Sequence, residues 1–116
     1  MTGQDEGTVS FIAMAIPHFD GAKAFYGSLF GWTFGNEYPN TAGRLCGAGI
    51  PGNAHASDQR CGFVIYFRTR DLAAAAARVQ ALGGTVGPVV PLPGAGKLQL
   101  CRDNQDVEFG LHQPEG

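Results

Sequence analysis

The sequence predicts an α+β fold: two βαβββ modules in tandem, their strands forming a cupped mixed β-sheet with flanking helices. Three observations point to it. An apolar strand, a helix and three shorter strands follow one another, and the series then runs again. The two runs overlay at a constant shift, with Phe11 falling on Val64, His18 on Asp71 and Gly31 on Gly84. The connections are short, which excludes a doubly wound parallel sheet, where each strand pair needs a long crossover. A repeat of this size cannot bury a sheet alone, so the two copies are expected to pair as one domain over residues 1–116. Module one spans about residues 8–52 and module two about residues 61–113.

The elements follow from local chemistry. Val9–Ile16 is mostly apolar and reads as a strand, ended by Pro17, which has no N–H to donate. Asp20 is a candidate N-cap for the helix that follows. Ala22, Phe25 and Leu29 recur at helical spacing, and Gly31 is a natural stop. Trp32-Thr33-Phe34 starts a second strand. Residues 35–62 are rich in turn formers, with short strands expected near Tyr38 and over Arg44–Ile50. The run PGNAHASDQ reads as an exposed connection and the boundary between the halves. Phe63–Arg68 is β-branched and aromatic, hence a strand. Asp71 caps an alanine-rich helix in which Leu72, Ala75, Ala76, Val79 and Leu82 recur at helical spacing, and Gly83-Gly84 stop it. Thr85–Val90 is a strand, PLPGAG a turn, and Lys97–Arg102 with Val107–His112 a closing hairpin about DNQD. Phe25, Leu29, Val79 and Leu82 are read as core.

Composition narrows the function. Eight basic and ten acidic residues give a net charge of −2, so no basic face is expected for nucleic acid or an anionic membrane. No apolar run reaches the length of a membrane span, and the N-terminus carries no secretory pattern. Three cysteines, Cys46, Cys61 and Cys101, form no CxxC or Cys/His cluster, which speaks against a zinc site or a disulfide scaffold. A cytoplasmic protein is the expectation. Eighteen glycines and seven prolines, spread along the chain, predict many tight turns. No GxSxG, P-loop or GxGxxG after a strand is present.

The run AKAFYGSLFGW after an apolar strand, the strand-helix-Gly-Gly of the second half and the closing D-x-x-x-x-x-F-G-L resemble the vicinal oxygen chelate superfamily, the glyoxalase, bleomycin-resistance and extradiol-dioxygenase group. The resemblance covers residues 8–113. It implies a cup that in the family's enzymes usually holds a divalent metal, with ligands from the first strand and a late strand of each module. Those positions fall here on Phe11, Val64 and Gly110, with a fourth in Ala48-Gly49-Ile50. None offers an imidazole, carboxylate or thiolate, so no metal and no cofactor is expected. The resemblance further implies a homodimer with shared clefts.

Strand alternation then suggests the lining. Phe11 shares a face with Ala13 and Ala15, Val64 with Tyr66 and Arg68, Gly110 with Glu108 and His112, and Trp32 with Phe34, with Tyr38 beyond. Phe11, Ala13, Trp32, Phe34, Tyr38, Val64, Tyr66, Arg68, Glu108, Gly110 and His112 are the candidate ligand-binding residues; no catalytic residue is assigned. Aromatic walls with a few polar groups suit a planar, largely uncharged small molecule, each ring contact adding about 0.5–1.5 kcal/mol. The bland alternatives are sheet–helix packing for Trp32, a helix-entry role for His18, exposure for His55, solvation for His112 and a surface ion pair for Arg68. By resemblance, the expected function is metal-independent binding of a hydrophobic, polycyclic aromatic antibiotic or natural product, giving resistance by sequestration. The alternative is a cofactor-free isomerase, cyclase or lyase acting on a polyketide-like substrate, with Tyr66, Glu108 and His112 as acid/base groups. An accessory domain that only dimerises is the third reading.

Overall fold

The computed structural model describes residues 6–35 and 42–115. Tyr38, a candidate site residue, lies outside them. Among the described residues the chain runs β1 (Val9–Ile16), α1 (Phe19–Phe30), β2 (Thr33–Phe34), β3 (Ala42–Cys46), β4 (Gly52–Ala56), β5 (Gly62–Arg68), α2 (Leu72–Ala81), β6 (Thr85–Leu92), β7 (Gly96–Arg102) and β8 (Glu108–Gln113). This is the βαβββ order twice over, with mixed strand pairing, the α+β class expected. Two compact units divide the chain: Phe11–Val64, and the residues through Ser10 together with those from Ile65 onward.

In the first unit the strands lie in the order β2-β3-β4-β1. β4 runs parallel to β1, from Ile12 opposite Gly52 to Ile16 opposite Ala56, and antiparallel to β3. β4 corrects the expectation that PGNAHASDQ is an exposed connection: Ala54 is wholly buried between β1 and β3. The expected strand over Arg44–Ile50 stops at Cys46, and the chain bends through 47–50 instead. Gly43 is required where β3 passes under Gly35, because a Cβ there would overlap the Gly35 carbonyl.

Helix α1 ends as expected, with Gly31 left-handed (φ 76°) and its N–H donating to the Gly27 carbonyl at 2.9 Å. Its start differs. His18 is the N-cap, without a capping hydrogen bond from its side chain, and Asp20 sits inside the first turn, where a carboxylate still meets the positive end of the helix. The core-facing stripe is Phe19 and Ala22, both buried with Met14, Phe34, Leu45 and Ala54, and the partly buried Tyr26 packed against them. Phe25 and Leu29, expected in the core, are 60% and 57% exposed. Two stripes of equal periodicity share Ala22. Phe19, edge-to-face on Phe34 at 6.0 Å, sets the rotation of the helix and turns the other stripe outward.

In the second unit the order is β5-β8-β7-β6. β8 runs parallel to β5 and antiparallel to β7, repeating the first unit's pattern. The Asp71 carboxylate caps α2 by accepting from the Ala74 N–H at 3.0 Å. Leu72, Cys101 and Leu111 form the core, with Val79, Val86 and Phe109 against it. Leu82, also expected in the core, is the C-cap residue and 63% exposed, because it lies beyond the last turn that faces the sheet. β6 ends the strand order and carries Pro88 and Pro91, which blunt an edge by withholding N–H donors. The closing hairpin turns at Asp103, whose carboxylate accepts from the N–H groups of Gln105 (2.8 Å) and Val107 (3.0 Å). The N-terminal segment is tied to this unit: the Glu6 carboxylate accepts from the Thr69 hydroxyl (2.6 Å) and the Arg70 N–H (3.0 Å). These donors hold Glu6 below its ordinary pKa. Among the described residues no helix is long and apolar enough to cross a membrane.

Candidate functional site

In each unit the strands have one face under the helix and one face away from it. In the first unit Ile12, Met14 and Ile16 point to α1, so period-two alternation places Phe11, Ala13 and Ala15 on the far face. Ala13 pairs with Asn53, which pairs in turn with Arg44, and Ala15 with His55. Trp32 and Phe34 are not on that face. Phe34 belongs to the core under α1, and Trp32 packs against that core, stacked on Tyr26 at 5.2 Å. Sheet–helix packing is therefore what these two rings do, and the aromatic lining expected of them is absent from the far face. Val64, on β5, is buried.

In the second unit β5 and β8 bring four expected residues together. Tyr66 lies opposite Gly110, and Arg68 opposite His112. Phe109 and Leu111 point to α2, so Glu108, Gly110 and His112 share the far face. Gly110 does not leave open volume there: a Cβ on it would overlap the Tyr66 ring, which fills the space. His112 is buried and held at both nitrogens. Nε2 lies 2.7 Å from the Ala95 carbonyl and Nδ1 2.6 Å from the Ser10 hydroxyl. A carbonyl only accepts, so Nε2 carries the hydrogen, and in the neutral ring Nδ1 accepts from Ser10. Glu108 faces Arg102 at 3.8 Å. The three groups named for acid/base work are thus built into the sheet.

His55, expected to be exposed, is corrected by the structure. It sits on β4 between Ala15 and Ala42, half-buried, on the face of Ala13 and Asn53. Burial, and secondarily the charge of Arg60, lowers its pKa below the ordinary value, so the imidazole is neutral at pH 7. The signal was present in GNAHA, where small apolar and polar residues alternate with period two.

Beside the β3–β4 bend lies a hollow of about 570 Å³ in the first unit, edged by Arg44, Cys46 and Ile50. The expected fourth ligand position, in Ala48-Gly49-Ile50, falls in this bend and not on a strand; the strand residues facing Ala13 and Ala15 are Asn53 and His55. A divalent metal site of this type needs three protein donors. Phe11, Val64 and Gly110 supply none, the Tyr66 ring fills the space at Gly110, and one imidazole with one amide does not suffice. Among the described residues no three His, Cys, Asp or Glu side chains gather as a metal site. Within either unit, the described residues do not fit the ion.

The sequence matches no protein-family model and no curated protein. Solved structures do match. A methylmalonyl-CoA epimerase from Mycobacterium tuberculosis superposes with a TM-score of 0.71 at 17% identity, over 97% of this chain and 91% of that one. A hypothetical protein, BH1468, from Bacillus halodurans C-125 gives 0.71 at 11% identity, over 95% and 96%. A single-substitution variant of the methylmalonyl-CoA epimerase from Streptomyces coelicolor, in complex with 2-nitronate-propionyl-CoA, gives 0.62 at 17% identity, over 91% and 93%. At these identities the likeness is one of fold, the vicinal oxygen chelate fold.

Proposed function

We propose that the protein is a metal-independent binding protein of this fold. It takes up a hydrophobic, planar small molecule of the polycyclic aromatic antibiotic or natural-product kind and holds it unchanged, lowering its free concentration by mass action. One observation carries the reading: in the second unit the Tyr66 ring takes the space at Gly110, and the positions that the family resemblance assigns to metal ligands hold Phe11, Val64 and Gly110, which have no donor atom. Side chains of this kind make apolar contact and polarise nothing. The acid/base candidates support it, because His112 is held at both nitrogens and Glu108 faces Arg102. The three cysteines are free thiols, which suits a reducing compartment such as the cytoplasm. The test is calorimetric titration with a panel of planar polycyclic compounds, followed by mass spectrometry of the recovered ligand. Stoichiometric binding, ligand returned intact and weaker binding by Phe11→Ala are expected. Consumption of the ligand, or no binding across the panel, overturns the reading.

A second reading rests on His55. A neutral, half-buried imidazole on the far face of β4 is a general base ready at pH 7, and two of the three fold neighbours named above are epimerases. The reaction is a proton exchange: a base removes a proton from a carbon beside a carbonyl, and a proton from water returns to the opposite side. Proton exchange of an acyl-CoA such as methylmalonyl-CoA in D2O, followed by NMR in the presence of chelator, tests it. Exchange that is lost in His55→Gln favours this reading over the first; no exchange dismisses it.

A further inference from the structure

We propose that the hollow at the C-terminal end of α2 binds a flat, two-ring N–H heteroaromatic small molecule, in the place where the first unit carries the indole of Trp32. The hollow, about 340 Å³, is lined by Val79, Leu82, Gly84, Asp103, Asn104 and Phe109. It lies on the α2 side of the strands, to which Phe109 points, and not on the far face with Gly110. The site is therefore a second one, independent of the binding reading above.

The internal repeat indicates the occupant. Strand pairing matches the units residue by residue. Thr33 lies opposite Cys46 and Phe34 opposite Leu45; Thr85 lies opposite Arg102 and Val86 opposite Cys101. One residue back, Trp32 matches Gly84, and left-handed Gly31 (φ 76°) matches left-handed Gly83 (φ 96°). The sequence overlay set Gly31 on Gly84; α2 is the shorter helix and moves the match by one. In the first unit the Trp32 ring lies 5.1 Å from the ring of Phe30, the residue before that glycine. It also covers Gly47, the first residue after β3, where a Cβ would lie 3.1 Å from its Cδ1. The matching residues of the second unit are Leu82 and Asp103, and both line the hollow. Gly84 cannot fill it, because a Cβ there would strike the Arg102 carbonyl and the Val79 side chain. Both units thus frame a slot for an indole, and only the first supplies the indole from its own chain.

Walls and rim set the ligand's chemistry. Val79, Leu82 and Phe109 offer apolar contact to a flat ring system. Small-molecule sites run from roughly 300 to 1,000 Å³, and this one, at the small end, suits two fused rings better than a larger polycycle. Asp103 is the one charged residue among the six that line it. Its carboxylate is fixed by the N–H groups of Gln105 and Val107, and a carboxylate has about four acceptor positions. It therefore favours a ligand edge that donates an N–H and opposes a ligand that carries an acid group.

The experiment is an amide NMR titration of the isotope-labelled full chain with indole and, separately, with indoleacetate at pH 7, on the wild type, Leu82→Asp and Leu29→Asp. Leu82 and Leu29 are similarly exposed, at 63% and 57%, but Leu29 lies in the first unit. With indole the wild type is expected to show saturable shifts centred on the amides of Gly84, Asn104 and Phe109. Indoleacetate is expected to bind about tenfold more weakly or worse, as is indole to Leu82→Asp, since each sets a carboxylate against apolar walls beside Asp103. Leu29→Asp leaves indole binding unchanged. The same spectra show whether each variant is folded, and the comparison of the two ligands on the wild type stands without any variant. Shifts that do not saturate, or that centre on Tyr66 and Gly110, overturn the proposal. Equal binding of indoleacetate, indifference to Leu82→Asp or equal weakening by Leu29→Asp overturns it as well. A polycyclic ligand that moves only the Tyr66 and Gly110 amides bears on the earlier reading alone.

Discussion

Gly110 and Tyr66 are a pair in the strict steric sense. The ring occupies the space a β-carbon would take, so each residue permits the other. Gly110→Ala is expected to destabilise the protein by about 1–3 kcal/mol through overpacking. In a Tyr66→Ala background the same change adds little, and urea melts of the four proteins measure the coupling. His55 carries a pH signature. Its folded pKa is below the ordinary 6.5, so as pH falls through that value the unfolded chain takes up the proton first. Stability is therefore lost on acidification from about pH 6.5 down to the folded pKa. Urea midpoints between pH 7 and 5 are expected to fall less steeply in His55→Gln. Face sharing along β5 and β8 was legible in the sequence, because period two fixes which residues sit with Tyr66 and Gly110. What fills the space between them was not, because it depends on a ring reaching across from a neighbouring strand.

The two helices show what a cap contributes. His18 and Asp71 occupy equivalent positions in the repeat, yet only Asp71 offers an oxygen to the first turn. Asp71→Ala is expected to cost about 1 kcal/mol, and His18→Asp to stabilise by about 0.5–1 kcal/mol; thermal midpoints of the two variants check both signs. Helix existence and stops were plain from alanine content and glycine. Helix rotation was not, since Phe19/Ala22/Tyr26 and Ala22/Phe25/Leu29 have the same spacing, and only the ring of Phe34 decides between them. β4 went unread because glycine, proline and asparagine around it outweighed a five-residue alternation; its place between two partner strands overrides that weak local propensity.

At the scale of the whole chain the three thiols differ in access. Cys46 and Cys61 are exposed and Cys101 is buried in the second unit's core, where burial raises its pKa. Two thiols are expected to react promptly with an aromatic disulfide reagent, the third only at the rate of opening, and a stopped-flow trace with and without denaturant counts them. By itself the sequence determined the α+β class and the doubled βαβββ order, because both follow from local periodicity and turn chemistry. Only the tertiary structure decided that Trp32 and Phe34 serve the core, that His112 is held at both nitrogens, that His55 stands on a strand and that Phe25, Leu29 and Phe30 face water. Those outcomes turn on which of two equally periodic faces meets a neighbour, and that choice is made by contacts between residues far apart along the chain.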